Sequence, residues 1–248
     1  MTRVGDPPHA GMVLAAGHGT RLRPLTEGQP QPMQEVANKP VIDHVLDRLV
    51  AAGVTEVVVN ARDGTDRVAR HMDLRPPPPH ITLSREPSLL GTGGAVVPVL
   101  DRLGPNAFYL ANADTLWLDG PTPALARLWN RWDDAVMDAL LLMISGSNAV
   151  GVSGRGDFAM DPLGLVQRLE AVQFAPFYYG GVALVSPRLF ADPPPAPFPL
   201  AALLDRAIEA GRLYGIAHDG PWFQIGSPSS LAEVVAELTP DSLRWIEP

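Results

Sequence analysis

The sequence predicts an α/β protein: a mixed, mostly parallel sheet with helices on both faces, completed by a small β-rich lid. Three observations lead there. Through the first half of the chain, short apolar runs alternate with segments of helical periodicity, the pattern of a parallel sheet with crossover helices. Turn residues punctuate those segments, with 23 glycines and 27 prolines among 248 residues. Two stretches with chemistry in them, Gly17–Arg21 and Asn112–Asp114, each follow an apolar run. That places both at carboxyl ends of strands, where open α/β sheets bind ligands.

Taken in order, Met12–Ala16 reads as a buried first strand that breaks into Gly17-His18-Gly19-Thr20-Arg21. Pro40 suits a helical first turn, and Val41, Ile42, Val45, Leu46, Leu49 and Val50 repeat at helical spacing up to Gly53. A second strand over Thr55–Asn60 precedes a helix over Ala61–Met72, and a third strand covers His80–Ser84. Gly91-Thr92-Gly93-Gly94 opens a helix through Leu103, and Ala107–Leu110 is the strand that delivers Asn112 and Asp114. The second half is less regular. Strands are expected over Asp138–Ile144, Phe177–Val185, Leu213–His218 and Trp222–Ile225, with a turn at Asp161–Gly164 and a helix over Leu200–Ala210. Ser227-Pro228 caps a final helix with Leu231, Val234, Val235 and Leu238 inward. Residues 1–10 read as a flexible tail and 11–248 as a single domain, with no internal repeat and no linker.

Composition narrows the function. A formal charge of −8 argues against a nucleic-acid surface. No apolar run approaches the ~20 residues of a membrane span, and the N-terminus lacks a signal-peptide core. The chain has no cysteine, so it forms no disulfide or thiolate metal site, in keeping with a cytoplasmic protein. Its six histidines are scattered singly. Lys39 is the only lysine among 19 basic residues, so an anionic ligand would have to be met by arginines, helix ends or a bound cation. A monomer and a homodimer are both open.

Glycines let backbone N–H groups approach a phosphate, and Arg21 and Arg23 would supply countercharge, so Gly17–Arg23 reads as an anion-binding loop or as an ordinary turn. Asp114 suits a Mg²⁺ ligand, since that ion takes few carboxylates plus phosphate oxygens, or equally a turn aspartate. Gly91–Gly94 would bring backbone to a base or sugar, or form a tight helix entry.

These residues resemble a known family. MVLAAGHGTRLRPLT is similar to the signature of the sugar-phosphate nucleotidyltransferases, or NDP-sugar pyrophosphorylases, and the likeness continues through NKPVIDHVLDRLVAAGVTEVVVN, LLGTGGA, NADTLW, APFYYGGVALVSPRLF and GRLYGIAHDGPWFQIGSPSSLAEV. Order and spacing suit the short members, above all the N-acetylmuramate-1-phosphate uridylyltransferases and mannose-1-phosphate guanylyltransferase-like proteins. The resemblance implies the Rossmann-like nucleotide-diphospho-sugar transferase fold, with the lid binding sugar. It also implies attack of a sugar 1-phosphate on the α-phosphorus of an NTP, with Mg²⁺ as cofactor and UTP with N-acetylmuramate 1-phosphate as the favoured pair, a step of cell-wall (peptidoglycan) sugar recycling. By the same resemblance Leu14, Ala15, Ala16 and Gly17 would hold base and ribose, and Gly19, Thr20 and Arg21 the triphosphate. Gly93 and Gly94 would recognise the base, Asp114 would bind Mg²⁺, and Asn112, Glu170, Tyr179 and Gly180 would face the sugar phosphate.

The chain departs from the family pattern at two charged positions. Pro30-Gln31-Pro32 stands where Pro-Lys-Pro is usual, the lysine contacting phosphate, and Gln224 stands where a second Mg²⁺-binding aspartate is common. Gly91 replaces a frequent acidic residue, and Asn38 a usual glycine. Two accounts follow: a compensated enzyme that relies on Asp114 for metal and on Arg21, Arg23 and Lys39 for phosphate, or a nucleotide- or sugar-binding relative with little turnover.

Overall fold

The structure is a computed structural model, and it describes residues 5–17, 19–27, 29–62, 66–152, 154–169 and 174–238. Its main sheet comprises β1 (Ala10–Leu14), β2 (Glu56–Arg62), β3 (His80–Glu86), β4 (Phe108–Asn112), β5 (Ala139–Ser145), β6 (Phe177–Val185) and β7 (Leu213–Ala217). Their spatial order is β7-β5-β6-β4-β1-β2-β3. Within this sheet β6 runs antiparallel to both neighbours, and the other pairings are parallel.

Both faces of the sheet are covered, as predicted. Helices α1 (Val41–Ala51), α2 (Asp66–Leu74) and α3 (Ala124–Arg131) bury Ile42, Leu46, Val68, Leu125 and Leu128 with Val13, Val59 and Leu142 on one side. Helix α4 (Ala201–Glu209) and the segment after β3 bury Leu203, Ala207 and Val96 with Met12, Leu110 and Leu141 on the other. Alternate residues of one strand therefore serve two cores, which is why β5 reads as a continuous apolar run. Each fully buried Val, Ile or Leu on α1 contributes about 1.5–3 kcal/mol of transfer free energy.

Smaller sheets flank the main one. Trp222–Gln224 pairs with Thr115–Trp117 and with Ala149–Val150, and Ala159–Met160 pairs with Val166–Gln167 across the Asp161–Gly164 turn. Helix α5 (Pro228–Glu237) closes a third apolar cluster of Leu22, Val36, Leu116, Phe223, Ile225 and Val234. Ser227 caps α5 by accepting from the Ser230 N–H at 3.1 Å, and Ser230 Oγ accepts from the Ser227 N–H at 2.9 Å.

Several predicted boundaries move. The first strand starts at Ala10, inside the stretch read as tail, because the His9 carbonyl accepts from the N–H groups of Thr55 and Glu56. It also ends at Leu14, so Ala15 and Ala16 lie in the loop. Ala61 and Arg62 prolong β2 instead of opening a helix. The helix expected over Gly91–Leu103 is broken into Gly91–Gly94, Val97–Val99 and Leu100–Leu103, with Pro98, which lacks an N–H, at the break. Pro40 precedes α1 with an extended ψ of 139°. Val235 is 46% exposed and does not face inward.

Candidate functional site

A cleft of about 240 Å³ opens at the carboxyl ends of β1 to β4. Leu14, Ala15, Ala16 and Gly17 line it with Gln31, Asn112 and Asp114, so residues from three separate parts of the sequence meet there. A wider hollow of about 1220 Å³ lies at the amino ends, against residues 5–9 and Trp129–Asp134, and holds none of the predicted site residues. Chemistry and strand polarity both point to the smaller cleft.

The loop after β1 needs glycine where the sequence places it. Gly19 has φ +56°, and a Cβ there would come 2.9 Å from Thr26 Cγ2 and 3.1 Å from Gln31 Cβ. Thr26 Oγ1 donates to the Gly19 carbonyl at 3.0 Å, which holds the turn. At Gly17 the nearest such neighbour is Gln31 Oε1 at 3.9 Å, so that position stays open toward the cleft. Thr20 and Arg21 follow in a short 3₁₀ turn anchored by the fully buried Leu22, and both are exposed.

Asp114 is the centre of the site. Its Oδ1 is sealed from water and has no hydrogen-bond partner. Burial raises its pKa above the usual carboxylate value, opposed by the positive charge of Arg21. Its backbone carbonyl accepts from the Ile225 N–H at 2.8 Å, which fixes the turn after β4 to the strand carrying Gln224. The side chains of Arg21 and Gln224 both come within 4 Å of the space a Cβ on Gly226 would fill. No group of three or more His, Cys, Asp or Glu side chains converges among the described residues. A buried carboxylate oxygen with a free lone pair fits Mg²⁺, which takes few carboxylates and completes its shell with phosphate oxygens and water. Asp114 would hold such an ion, and Gln224, whose strand pairs with Thr115 just after it, is the second ligand that the resemblance implies.

Gln31 is bound rather than free. Its Nε2 donates to the Ile225 carbonyl at 2.7 Å and lies 3.4 Å from Asp114 Oδ2. Lys39 is no substitute for a lysine there, because its ammonium pairs with Asp47 on α1, which also pairs with Arg75. The structure thus removes Lys39 from the phosphate-binding role that the compensated-enzyme account gave it. Asn38 has φ +63° and Ala37 +51° in the turn between Glu35–Val36 and Lys39–Pro40, and asparagine tolerates that left-handed backbone.

Gly93 and Gly94 do not line the cleft. They are buried against Phe198, and a Cβ on Gly93 would sit 2.5 Å from the Phe198 ring. Their N–H groups donate to the Phe198 carbonyl at 3.1 and 3.2 Å, and Thr92 Oγ1 accepts from the Leu200 N–H at 2.9 Å. Gly91 and Thr92 line the cleft instead. Gly91 has φ +78°, and a Cβ there would be 2.3 Å from the Phe198 carbonyl oxygen, so an acidic side chain has no room. Gly180 and Gly181 form a bulge in β6 that the protein itself fills: Trp222 Nε1 donates to the Gly180 carbonyl at 2.9 Å, and Asn112 packs on Gly181. The Tyr179 hydroxyl is buried without a partner, which pushes its pKa up, and the Tyr179 N–H donates to Asp157 Oδ2 at 2.8 Å. Glu170 lies outside the described residues.

Among the lining residues that sequence reasoning did not name, Asn60 and Glu86 form a hydrogen-bonded pair. Asn60 at the end of β2 accepts from the Ala15 N–H through Oδ1 at 2.6 Å and donates through Nδ2 to Glu86 Oε1 at 2.7 Å. Glu86, 2% exposed, ends β3 and also accepts from the Leu90 N–H at 3.2 Å. Asn60 carried a signal, a polar residue directly after the apolar run Val57–Val59 near the carboxyl end of a parallel strand, whereas Glu86 follows Ser84 and Arg85 and had none.

Comparison with known proteins shows the family and the fold. The sequence model of the family described as Nucleotidyl transferase matches residues 10–143. The chain is 38% identical over 239 residues to N-acetylmuramate alpha-1-phosphate uridylyltransferase of Caulobacter vibrioides, covering 95% of this chain and 99% of that one. It is 31% identical over 231 residues to the protein of that name from Neisseria meningitidis serogroup B, covering 91% and 96%. Among solved structures, UDP-glucose pyrophosphorylase from Acinetobacter baumanii superposes with a TM-score of 0.76 at 16% identity over 96% of this chain and 98% of that one, which shows a shared fold.

Proposed function

We propose a specific reaction for this chain, which belongs to the sugar-phosphate nucleotidyltransferase family: uridylyl transfer from UTP to N-acetylmuramate 1-phosphate. A phosphate oxygen of the sugar forms a bond to the α-phosphorus, the α–β phosphoanhydride bond breaks, and pyrophosphate leaves with UDP-N-acetylmuramate as product. The observation that carries the reading is the buried, unpartnered Asp114 Oδ1 in a cleft shared with the glycine loop. Similarity along nearly the whole chain to two uridylyltransferases supports the choice of base and sugar. A cytoplasmic role in peptidoglycan sugar recycling follows from that choice.

The cleft is smaller than the ~300–1,000 Å³ of pockets that enclose a whole ligand. It would seat the nucleoside between the Ala15–Gly17 loop and Asn60, Glu86 and Thr92, with the phosphates running out past Gly19 toward Arg21. Phosphoryl-type transfer asks a protein chiefly for positioning and charge stabilisation. Arg21 would supply positive charge where negative charge accumulates on the transferring and leaving phosphates. Mg²⁺ bound by Asp114 and Gln224 would neutralise phosphate charge as a Lewis acid. Asn112, in the cleft beside Asp114, would orient the incoming sugar phosphate.

Incubating the protein with each NTP, Mg²⁺ and a panel of sugar 1-phosphates tests the proposal through pyrophosphate release. UTP with N-acetylmuramate 1-phosphate is expected to turn over fastest. A faster reaction of GTP with mannose 1-phosphate would overturn the substrates, and no release from any pair by folded protein would overturn the activity. Gln31 and Gln224 favour a second reading, a binding relative with little turnover. A rate in the ordinary range of ~1–10³ s⁻¹ would exclude it.

A further inference from the structure

On that reading of the site, the absence of charge at position 31 has a structural reason. Three contacts close a ring: the Gln31 amide donates to the Ile225 carbonyl at 2.7 Å, Ile225 donates to the Asp114 carbonyl at 2.8 Å, and the Gln31 Nε2 faces Asp114 Oδ2 at 3.4 Å. The ring joins the Gln31–Met33 turn, the exit of β4 and the strand that ends at Gln224. Its other amide atom, Oε1, would lie 3.4 Å from a Cβ on Gly19, so the same side chain also backs the glycine loop.

A lysine ammonium has three N–H groups and would make the same two donations. What it would add is a full positive charge a few ångströms from Asp114, a residue that already feels Arg21. Like charges at such range repel strongly even in a partly hydrated cleft, so that ammonium would compete with a cation for the carboxylate. A second carboxylate would offset it, but position 224 carries an amide.

We propose that Gln31 is a positioning residue, an uncharged tether that orients Asp114 while leaving its negative charge for a divalent cation. Its neutrality is matched to that of Gln224. Gln31 and Gln224 therefore form one charge-balanced unit, and restoring a lysine at position 31 alone is a loss.

The test reads Mn²⁺ binding from the electron paramagnetic resonance signal of the free ion, with and without uridine 5′-(α,β-methylene)triphosphate. Wild type, Gln31→Met, Gln31→Lys and Gln31→Lys/Gln224→Asp are compared after thermal unfolding shows each to be folded. Gln31→Met, which keeps the size and loses the donors, is expected to weaken Mn²⁺ binding about tenfold. Gln31→Lys is expected to weaken it by at least as much while tightening binding of the metal-free analogue. Adding Gln224→Asp should bring Mn²⁺ affinity back to wild type or better. A merely structural role would lower both affinities together. Gln31→Lys that binds Mn²⁺ as tightly as wild type, or Gln31→Met that is indistinguishable from it, overturns the inference alone. Wild type that binds neither Mn²⁺ nor the analogue overturns the proposed function with it.

Discussion

Gly17 and Gly93 carry the same sequence signal and have different surroundings. Around Gly17 the space of a missing Cβ is open toward the cleft, with nothing nearer than 3.9 Å. Around Gly93 that space is taken by the Phe198 ring at 2.5 Å, and the N–H groups of Gly93 and Gly94 are already bonded to the Phe198 carbonyl. One glycine leaves room for a ligand, and the other makes room for the protein. A glycine-rich motif cannot by itself distinguish these cases, because a ligand and a buried phenylalanine both require a position without a side chain.

The contrast between groups left open and groups internally satisfied can be broken most sharply at Asp114. Asp114→Asn keeps the shape and removes the charge, and activity in the pyrophosphate assay is expected to fall about 10²–10³-fold, as when one charge-stabilising group is lost. The same change should raise the melting temperature of the metal-free protein. The sign follows from burial: the folded state holds Asp114 with a raised pKa, so over the window above the unfolded value it binds more protons than the unfolded chain. Wild type therefore gains stability as pH falls into that window, and Asp114→Asn should lose this dependence. A melting temperature lowered by Asp114→Asn would mean the carboxylate is structurally paired after all.

The glycines supply the next effect. Gly93→Ala forces a methyl group into Phe198 and is expected to cost about 1–3 kcal/mol, read by urea unfolding. Gly17→Ala meets nothing closer than the far end of Gln31, so its stability should stay within about 0.5 kcal/mol of wild type while the KM for nucleotide rises. Equal stability losses at the two positions would erase the distinction.

The smallest effect concerns His218. It is 4% exposed, and burial lowers its pKa against the opposing pull of the Pro221 backbone and Asp219. Below the ordinary histidine value near 6.5 the unfolded chain takes up a proton that the folded one resists. Stability should fall as pH drops through that point, and His218→Phe should flatten the slope in a melting-temperature series.

Much of the fold was legible because local signals agreed. Apolar runs, the Ser227-Pro228 cap and the Asp161–Gly164 turn each specify one conformation with short-range physics. Of the site, the meeting of Leu14–Gly17 with Asn112 and Asp114 was legible from strand polarity alone. What escaped was set by long-range partners. Phe198 lies 105 residues after Gly93 in the numbering and cannot be paired with it by any local pattern. Lys39 looked available because periodicity alone does not show that α1 sets the Asp47 carboxylate against its ammonium. Asn60 and Glu86 became readable as a pair only once β2 and β3 were seen side by side.

The bulge in β6 obeys a counting rule. Tyr179 faces Met143 and Ala183 faces Leu141, so four steps along one strand match two along its neighbour. The surplus is two residues, an even number. Odd-numbered positions on both sides of the bulge, Phe177, Tyr179, Ala183 and Val185, therefore still serve the same core, and Tyr178, Val182 and Leu184 the opposite one. In an alignment, relatives should gain or lose residues here in twos, since removing one of Gly180 and Gly181 would turn half the strand inside out.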